Sequence, residues 1–279
     1  MKTLALTLGL AAAAMMVASC SPTPEKQKTL VIYYSQTSNT ETVAQEIAFR
    51  LGLDADIEKI VAVEPYDGDF QATIERCMKE REQGITPDIL PITADLAKYD
   101  VIFLGYPIWF GTYAPPVKTF LSQVDLSGKK VVPFCTFGSG GLESSIKDLA
   151  EAQPNAEILP GYGVRAARMD AVNDEVENFL KAGGFIEGEY IQPEEFPEQH
   201  EVSDEEAEIF DAAVGDYPMM HAKAKTVAAR EVPSGTEYLF TAVDLPRMED
   251  SKMPPAGEMK VYVLVKNGEE PVFTRVVRN

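Results

Sequence analysis

The sequence predicts an α/β protein: a doubly wound, five-stranded parallel sheet, followed by a smaller α+β domain with one helix on an antiparallel sheet. Three observations lead there. Short Val- and Ile-rich runs alternate with helix-length amphipathic stretches from Thr29 to Ala182, which is the pattern of βαβ units. The first of these runs passes straight into a cluster of hydroxyl and amide side chains and then into a helix. After Gly183-Gly184 the alternation stops, and a Glu- and Pro-rich stretch leads into one amphipathic segment and several strand-like runs.

In order along the chain, strands are expected at 30–34, 56–61, 101–104, 130–134 and 157–159, and helices at 40–51, 70–82, 116–122, 142–152 and 170–182. Each connection is a crossover of helix length, so helices cover both faces of the sheet. Residues 185–203 read as an acidic linker whose carboxylates are a solvated face. Beyond it come a helix at 204–214 and strands at 221–230, 238–243, 259–265 and 271–277.

The N-terminus has the form of a secretion signal, with Lys2 ahead of an apolar run from Leu4 to Ala18. That run is too short to span a bilayer stably. Val17-Ala18-Ser19-Cys20 resembles the lipobox of bacterial lipoproteins, in which the cysteine carries the lipid; cleavage of an ordinary signal after Ser19 is the alternative. The expected organisation is therefore a signal at 1–20, a polar tether at 21–28 containing Pro22 and Pro24, a main domain at 29–184, the linker at 185–203 and a second domain at 204–279. This places the chain outside the cytoplasm, lipid-anchored in a bacterial envelope. The outer membrane is favoured because Ser21 lacks the aspartate of an inner-membrane retention signal.

Composition narrows the partners. A formal net charge of −19 repels nucleic acid and anionic headgroups, so the membrane is reached through the lipid alone. With Cys20 used as an anchor, Cys77 and Cys135 are too few for a disulfide framework and are expected as small buried hydrophobes. His200 and His221 lack metal-ligand spacing with each other or with cysteine, and no metal site is expected.

The loop Ser35-Gln36-Thr37-Ser38-Asn39-Thr40 is a candidate anion site, because backbone N–H groups at a helix start together with hydroxyls can hold a phosphate without a cation. No Lys or Arg occurs between Ser35 and Phe49. An N-cap and turn would favour the same residue types. The loop lacks the glycines of a dinucleotide fingerprint and the Gly-Lys-Ser/Thr of a P-loop. It also has neither a nucleophilic cysteine nor a strand-end aspartate, which leaves a phosphate that is bound and not attacked.

A second candidate follows the third strand: Gly105-Tyr106-Pro107-Ile108-Trp109-Phe110-Gly111-Thr112-Tyr113, at the carboxyl edge where ligands bind in such sheets. Trp109 and Tyr113 offer flat faces there, or else plug the core. A third, Cys135-Thr136-Phe137-Gly138-Ser139-Gly140-Gly141, follows the fourth strand; its glycines let backbone N–H groups approach a ligand, or simply make a turn.

The first loop resembles that of the flavodoxin family, Ser/Thr-x-Thr-Gly-Asn-Thr, with Ser38 in place of the usual glycine. The three loops together resemble a subgroup carrying Gly-Tyr-Pro-x-Trp followed by a Thr- and Gly-rich loop, over residues 29–182. The resemblance implies strand order 2-1-3-4-5, the short-chain form, and FMN as cofactor. FMN would be held by Ser35, Gln36, Thr37, Ser38, Asn39 and Thr40 at its phosphate, by Pro107, Ile108, Trp109, Phe110, Gly111 and Tyr113 at its ring, and by Thr136, Phe137, Gly138 and Ser139 at its pyrimidine edge. The implied function is electron transfer with an envelope redox protein or quinone, or an FMN-dependent oxidoreductase of quinone or NAD(P)H type, with no catalytic side chain. A non-redox binding module using the C-terminal domain is the alternative. That domain resembles the cystatin fold loosely, but Glu231-Val232-Pro233-Ser234-Gly235 departs from the inhibitory motif and reads as a hairpin turn.

Overall fold

The computed structural model describes residues 27–66, 69–190, 192–215, 217, 220–245 and 257–278. The signal segment, Cys20 and residues 21–26 of the tether lie outside the described residues.

Thr29–Tyr33 (β1) is buried along its whole length, as a central strand covered on both faces must be. It leads into Asn39–Leu51 (α1) and then Ala55–Lys59 (β2), which pairs parallel with β1. Phe70–Gln83 (α2) is capped by Asp69, whose carboxylate accepts from Ala72 N, and closes on Gly84 in the left-handed conformation. Val101–Trp109 (β3) returns to the other side of β1. Thr112–Tyr113 (β4) folds back on β3, and Pro115–Gln123 (α3) opens with two prolines in its first turn, where their missing N–H groups are not needed. Lys130–Phe137 (β5) pairs with β3 and is followed by Leu142–Ala152 (α4), Glu157–Ile158 (β6), Tyr162–Arg165 (β7) and Val172–Ala182 (α5).

The sheet order is β2-β1-β3-β5-β6, with β7 also on β5 and β4 on β3. Counting β6 and β7 as one interrupted strand and setting the β4 hairpin aside, this is the expected order. Strand parity divides the core in two. Leu30, Ile32, Ile102 and Leu104 face α3 and α4, whereas Val31, Tyr33, Val101 and Phe103 face α1 and α5. Phe103, Phe120 and Phe134 are fully buried, each contributing about 1.5–3 kcal/mol of apolar burial.

The second unit begins inside the stretch expected to be a linker. His200–Glu201 (β8) pairs with the next strand, and Phe196 packs against Tyr262 with the Arg230 guanidinium 4.2 Å from its ring. Phe196 supplies the apolar contact that a count of acidic residues conceals. Asp204–Val214 (α6) starts with a capping box in which Ser203 and Glu206 satisfy each other's backbone donors. It packs on an antiparallel sheet of Ala222–Val232 (β9), Gly235–Asp244 (β10), Glu258–Val265 (β11) and Val272–Arg278 (β12), in the order β12-β11-β10-β9-β8. Phe210, Phe240, Val261 and Phe273 form its core. Glu231 to Gly235 is a tight β9–β10 hairpin.

In the parallel sheet, three strands depart most from expectation. β3 runs on to Trp109 and β5 to Phe137, because Tyr106 and Pro107 pair with Cys135 and Thr136, and Phe134 to Phe137 pair with β7. The fifth strand is split by Pro160-Gly161, and its second half, β7, was missed. The last helix of this unit begins at Val172, after a 3₁₀ stretch at Ala166–Ala171. Cys77 and Cys135 are free and buried; burial pushes the Cys77 thiol up to about 11 and raises the Cys135 thiol well above its ordinary value, so both stay protonated. Among the described residues no helix is long and apolar enough to cross a membrane.

Candidate functional site

The carboxyl ends of β1, β3 and β5 bring the three predicted loops to one edge, beside the point where strand order reverses at β1. In the first loop, Ser38 adopts φ 65°, the left-handed region, without capping α1 through its side chain; its carbonyl instead accepts from Thr42 N and Thr42 Oγ1. This is the conformation a glycine takes freely and an L-residue holds at about 1–2 kcal/mol. Ser35 is 7% exposed, and its Oγ is buried without a hydrogen-bond partner. Thr37 and Ser38 are exposed, Asn39 is half-buried, and Thr40 is buried with its Oγ1 2.8 Å from Thr136 Oγ1, which ties the first loop to the end of β5. Gln36 is turned to other work: its Nε2 donates to Tyr66 O at 2.6 Å and Thr73 Oγ1 at 3.0 Å, so its side chain braces the loop after β2 and is not free for an anion.

Glu41, the acidic residue in the first turn of α1, would oppose an anion there. It is already engaged, by Lys59 Nζ at 2.9 Å and by Tyr33 Oη at 3.1 Å, and Lys59 holds its carboxyl below the usual range.

The second loop is a two-residue hairpin. Ile108 opposes Tyr113 and Trp109 opposes Thr112, with Phe110 at φ 51° and Gly111 at φ 85° in the turn. Two successive positive φ angles match the twist of a tight hairpin, which Gly111 satisfies and Phe110 adopts under strain. Phe110 is nonetheless 48% exposed, with the Arg81 guanidinium 5.3 Å from its ring. Parity separates the remaining residues. Trp109 is half-buried, edge-on to Tyr34 at 5.9 Å and to Tyr66 at 5.1 Å. Tyr113, expected as a second flat face, is instead core: it is 8% exposed and edge-on to Tyr106 at 5.7 Å. Ile108 shares its side of the hairpin and sits against Gly141. Ser144 Oγ donates to Gly111 O at 2.6 Å, fastening the hairpin turn to α4.

In the third loop, Thr136 and Phe137 belong to β5, and Phe137 is buried in the core instead of lying in the loop. Gly138 and Ser139 are the residues that emerge at the edge. Their carbonyls are both occupied, by Arg165 Nε at 2.9 Å and by Val276 N at 2.7 Å.

Among the described residues, the buried side-chain polar atoms without a partner are Ser35 Oγ and Thr112 Oγ1. Both lie at this edge, one in the first loop and one in the second. An unmatched buried hydroxyl costs about 1–3 kcal/mol, so two at one edge mark a place prepared for an acceptor or donor from outside the chain.

Residues not singled out from the sequence also belong here. Tyr34 and Tyr66 flank Trp109, and Tyr66 is fixed by donating to Glu80 Oε2 at 2.6 Å under the Arg76 guanidinium, 3.9 Å from its ring. Burial, then the Glu80 carboxylate, push the Tyr66 hydroxyl far above its ordinary pKa. The signal for Tyr66 was its place after Pro65 in the loop following β2, at the same carboxyl edge. A cleft of about 460 Å³ lies beside this loop, lined by Val63, Arg76, Lys79, Ile85 and Asp88 among others. None of the three loops lines it, and Arg76 is already committed to Glu80 and to the carbonyls of Glu64 and Pro65.

The Flavodoxin family model matches residues 28–180, more than half of the chain. Among solved structures, a proposed flavoprotein from Bacteroides eggerthii is 27% identical, with 56% of this chain and 98% of that one covered and a TM-score of 0.50. A second from Bacteroides uniformis is 27% identical over 55% and 99%, with a TM-score of 0.48. A flavoprotein in complex with FMN from Lactobacillus acidophilus is 23% identical over 54% and 99%, with a TM-score of 0.46.

Proposed function

Because the chain belongs to the flavodoxin family, we propose that it binds FMN across these three loops and works as an electron-transfer protein tethered in a bacterial envelope. The observation that carries the binding site is the pair of unmatched hydroxyls, Ser35 Oγ and Thr112 Oγ1, at the edge where the family resemblance puts the cofactor. Ser35, Thr37 and the amides of Ser38, Asn39 and Thr40 hold the phosphate, with the helix start supplying positive potential in place of a cation. The left-handed Ser38 turns the backbone into α1 as a glycine would. Trp109, steadied edge-on by Tyr34 and Tyr66, and the Phe110-Gly111 turn face the ring, and the amides at Gly138 and Ser139 face its pyrimidine edge.

FMN supplies the redox chemistry when bound. The protein binds and orients it and sets its potential. No side chain is asked to react, and the protonated, buried thiols of Cys77 and Cys135 stay out of the reaction. The chain's net charge of −19 disfavours added negative charge in the site, which lowers the potential of the fully reduced couple.

The envelope role rests on the sequence alone. Lipidation at Cys20 would hold the chain at a membrane, with the outer membrane favoured, where nicotinamide cofactors are scarce; a redox protein or a quinone is then the partner.

Absorbance and FMN titration of the chain from Ser21 onward, beside a Thr37→Ala/Trp109→Ala double variant, tests the core of this. A yellow protein that loses FMN in the variant supports it. A colourless protein indifferent to FMN would leave a scaffold whose second domain does the binding.

A further inference from the structure

The third loop is gripped by the other domain. Arg165, at the end of β7, donates from Nε to Gly138 O at 2.9 Å and from Nη1 to Phe273 O at 2.7 Å, so one guanidinium joins the loop to β12. The same group lies 4.2 Å from the Phe273 ring centre and 5.1 Å from that of Tyr217. Burial draws its pKa below the ordinary value, and the two carbonyls and two rings are what compensate a charge held there. Next along the loop, Val276 N donates to Ser139 O at 2.7 Å. Gly140 then touches β12 so closely that a Cβ on it would fall 2.1 Å from Val276 O, and one on Gly138 would fall 3.2 Å from the Tyr217 hydroxyl. Glu143, at the start of α4, closes the seam with Arg275 at 3.3 Å. Gly138, Ser139 and Gly140 are thus each in contact with a residue of the second domain or with the arginine that reaches it.

We propose that the C-terminal domain is a working part of the cofactor site, acting through the positioning residue Arg165 and the Val276 amide to fix the Gly138–Gly141 backbone in the shape that receives the flavin's pyrimidine edge. The proposal rests on the FMN reading above. A loop with glycine at three of four positions has the most backbone freedom to lose when it orders around a ligand. Holding it from β12 removes that loss from the binding step, so the domain contact strengthens FMN binding without touching FMN. The coupling is reciprocal: bound FMN holds the second domain against the first.

FMN titration by fluorescence, with stopped-flow dissociation, would be run on the native chain, Arg165→Ala, Val276→Pro and Arg230→Ala. Val276→Pro removes the outward N–H of a terminal strand but also changes a buried core side chain, so its unfolding midpoint is measured beside that of the native chain; folded, it keeps the test open if Arg165→Ala does not fold. Arg230→Ala breaks an ion pair to Glu237 elsewhere in the same domain and serves as the control. Hydrogen exchange at residues 138–141 in the FMN-free proteins is the second readout. Arg165→Ala and Val276→Pro are expected to bind FMN about tenfold more weakly, through faster release, and to exchange faster at 138–141, while Arg230→Ala changes neither. Faster exchange with unchanged FMN affinity, or unchanged exchange in both interface variants, would overturn the proposal while leaving the flavin reading intact. A native chain that takes up no FMN would overturn both.

Discussion

The first and third loops of the cofactor edge do comparable work but are held in opposite ways. Ser35 to Thr40 is shaped within its own domain: a left-handed Ser38, a helix start, and Gln36 bracing the loop after β2 through Tyr66 O and α2 through Thr73. Gly138 to Gly141 is shaped from outside, by Arg165 and by β12 of the second domain. The self-shaped loop keeps an unmatched hydroxyl, whereas the carbonyls at the head of the borrowed one are already satisfied. A phosphate needs donors left free in advance. A loop of glycines needs its freedom removed, and a second domain can do that without placing any side chain on the ligand.

The contrast can be broken most directly at the first loop. Ser35→Ala with Thr37→Ala should weaken FMN binding about a hundredfold while leaving riboflavin affinity unchanged, because only the phosphate contacts are lost. Fluorescence titration with both ligands checks this, and an equal fall for riboflavin would mean the loop also shapes the ring site. The same Ser35→Ala change alone should make the FMN-free protein more stable, by about 1 kcal/mol in urea unfolding, since it removes a buried hydroxyl that has no partner. No gain would show that Ser35 finds a partner without the cofactor. Ser38→Gly should add about 0.5 kcal/mol, the relief of the left-handed strain less the greater freedom of glycine in the unfolded chain.

The smallest effect at neutral pH concerns the thiols. Cys77 has a folded value of about 11 against an ordinary 9.0, so its contribution is complete below pH 9 and is lost as pH rises toward 11. Unfolding midpoints at pH 8 and pH 10.5 should differ in that direction, and neither cysteine should react with a thiol reagent in the native state at pH 8. Reaction at Cys135 would place the root of the third loop in solvent and undo the contrast from the other side.

Much of this was legible in the sequence because local chemistry and global pattern agree. The five strand–helix units, the polar run at Ser35 to Thr40 and the capping sequence at Ser203 to Glu206 each announce an element through residues close together in the chain. What was not legible depends on parity or on distance. Tyr113 and Trp109 lie four residues apart in one aromatic motif, and only the two-residue turn between their strands shows that they face opposite sides of the hairpin. Tyr66 joins Trp109 from 43 residues away. The contact of Arg165 with Phe273 spans 108 residues and two domains, and no local spacing encodes it. The acidic stretch before residue 204 misled because its charges outnumber Phe196 and Gln199, the residues that dock it: Gln199 Oε1 accepts from both Thr226 and Thr241.

The meeting of β12 with the third loop also bears on how copies of this chain behave toward one another. A terminal strand with bare backbone groups invites another chain to add to the sheet, with aggregation as the end point. Here Val276 N and Phe273 O of β12 are occupied within the same molecule. At the other end of that sheet β8 is only two residues long, and the outermost β2 of the first sheet carries Asp56, Glu58 and Lys59. With a net charge of −19 on the chain, molecules crowded together repel one another, and β12 offers them fewer bare backbone groups to pair with.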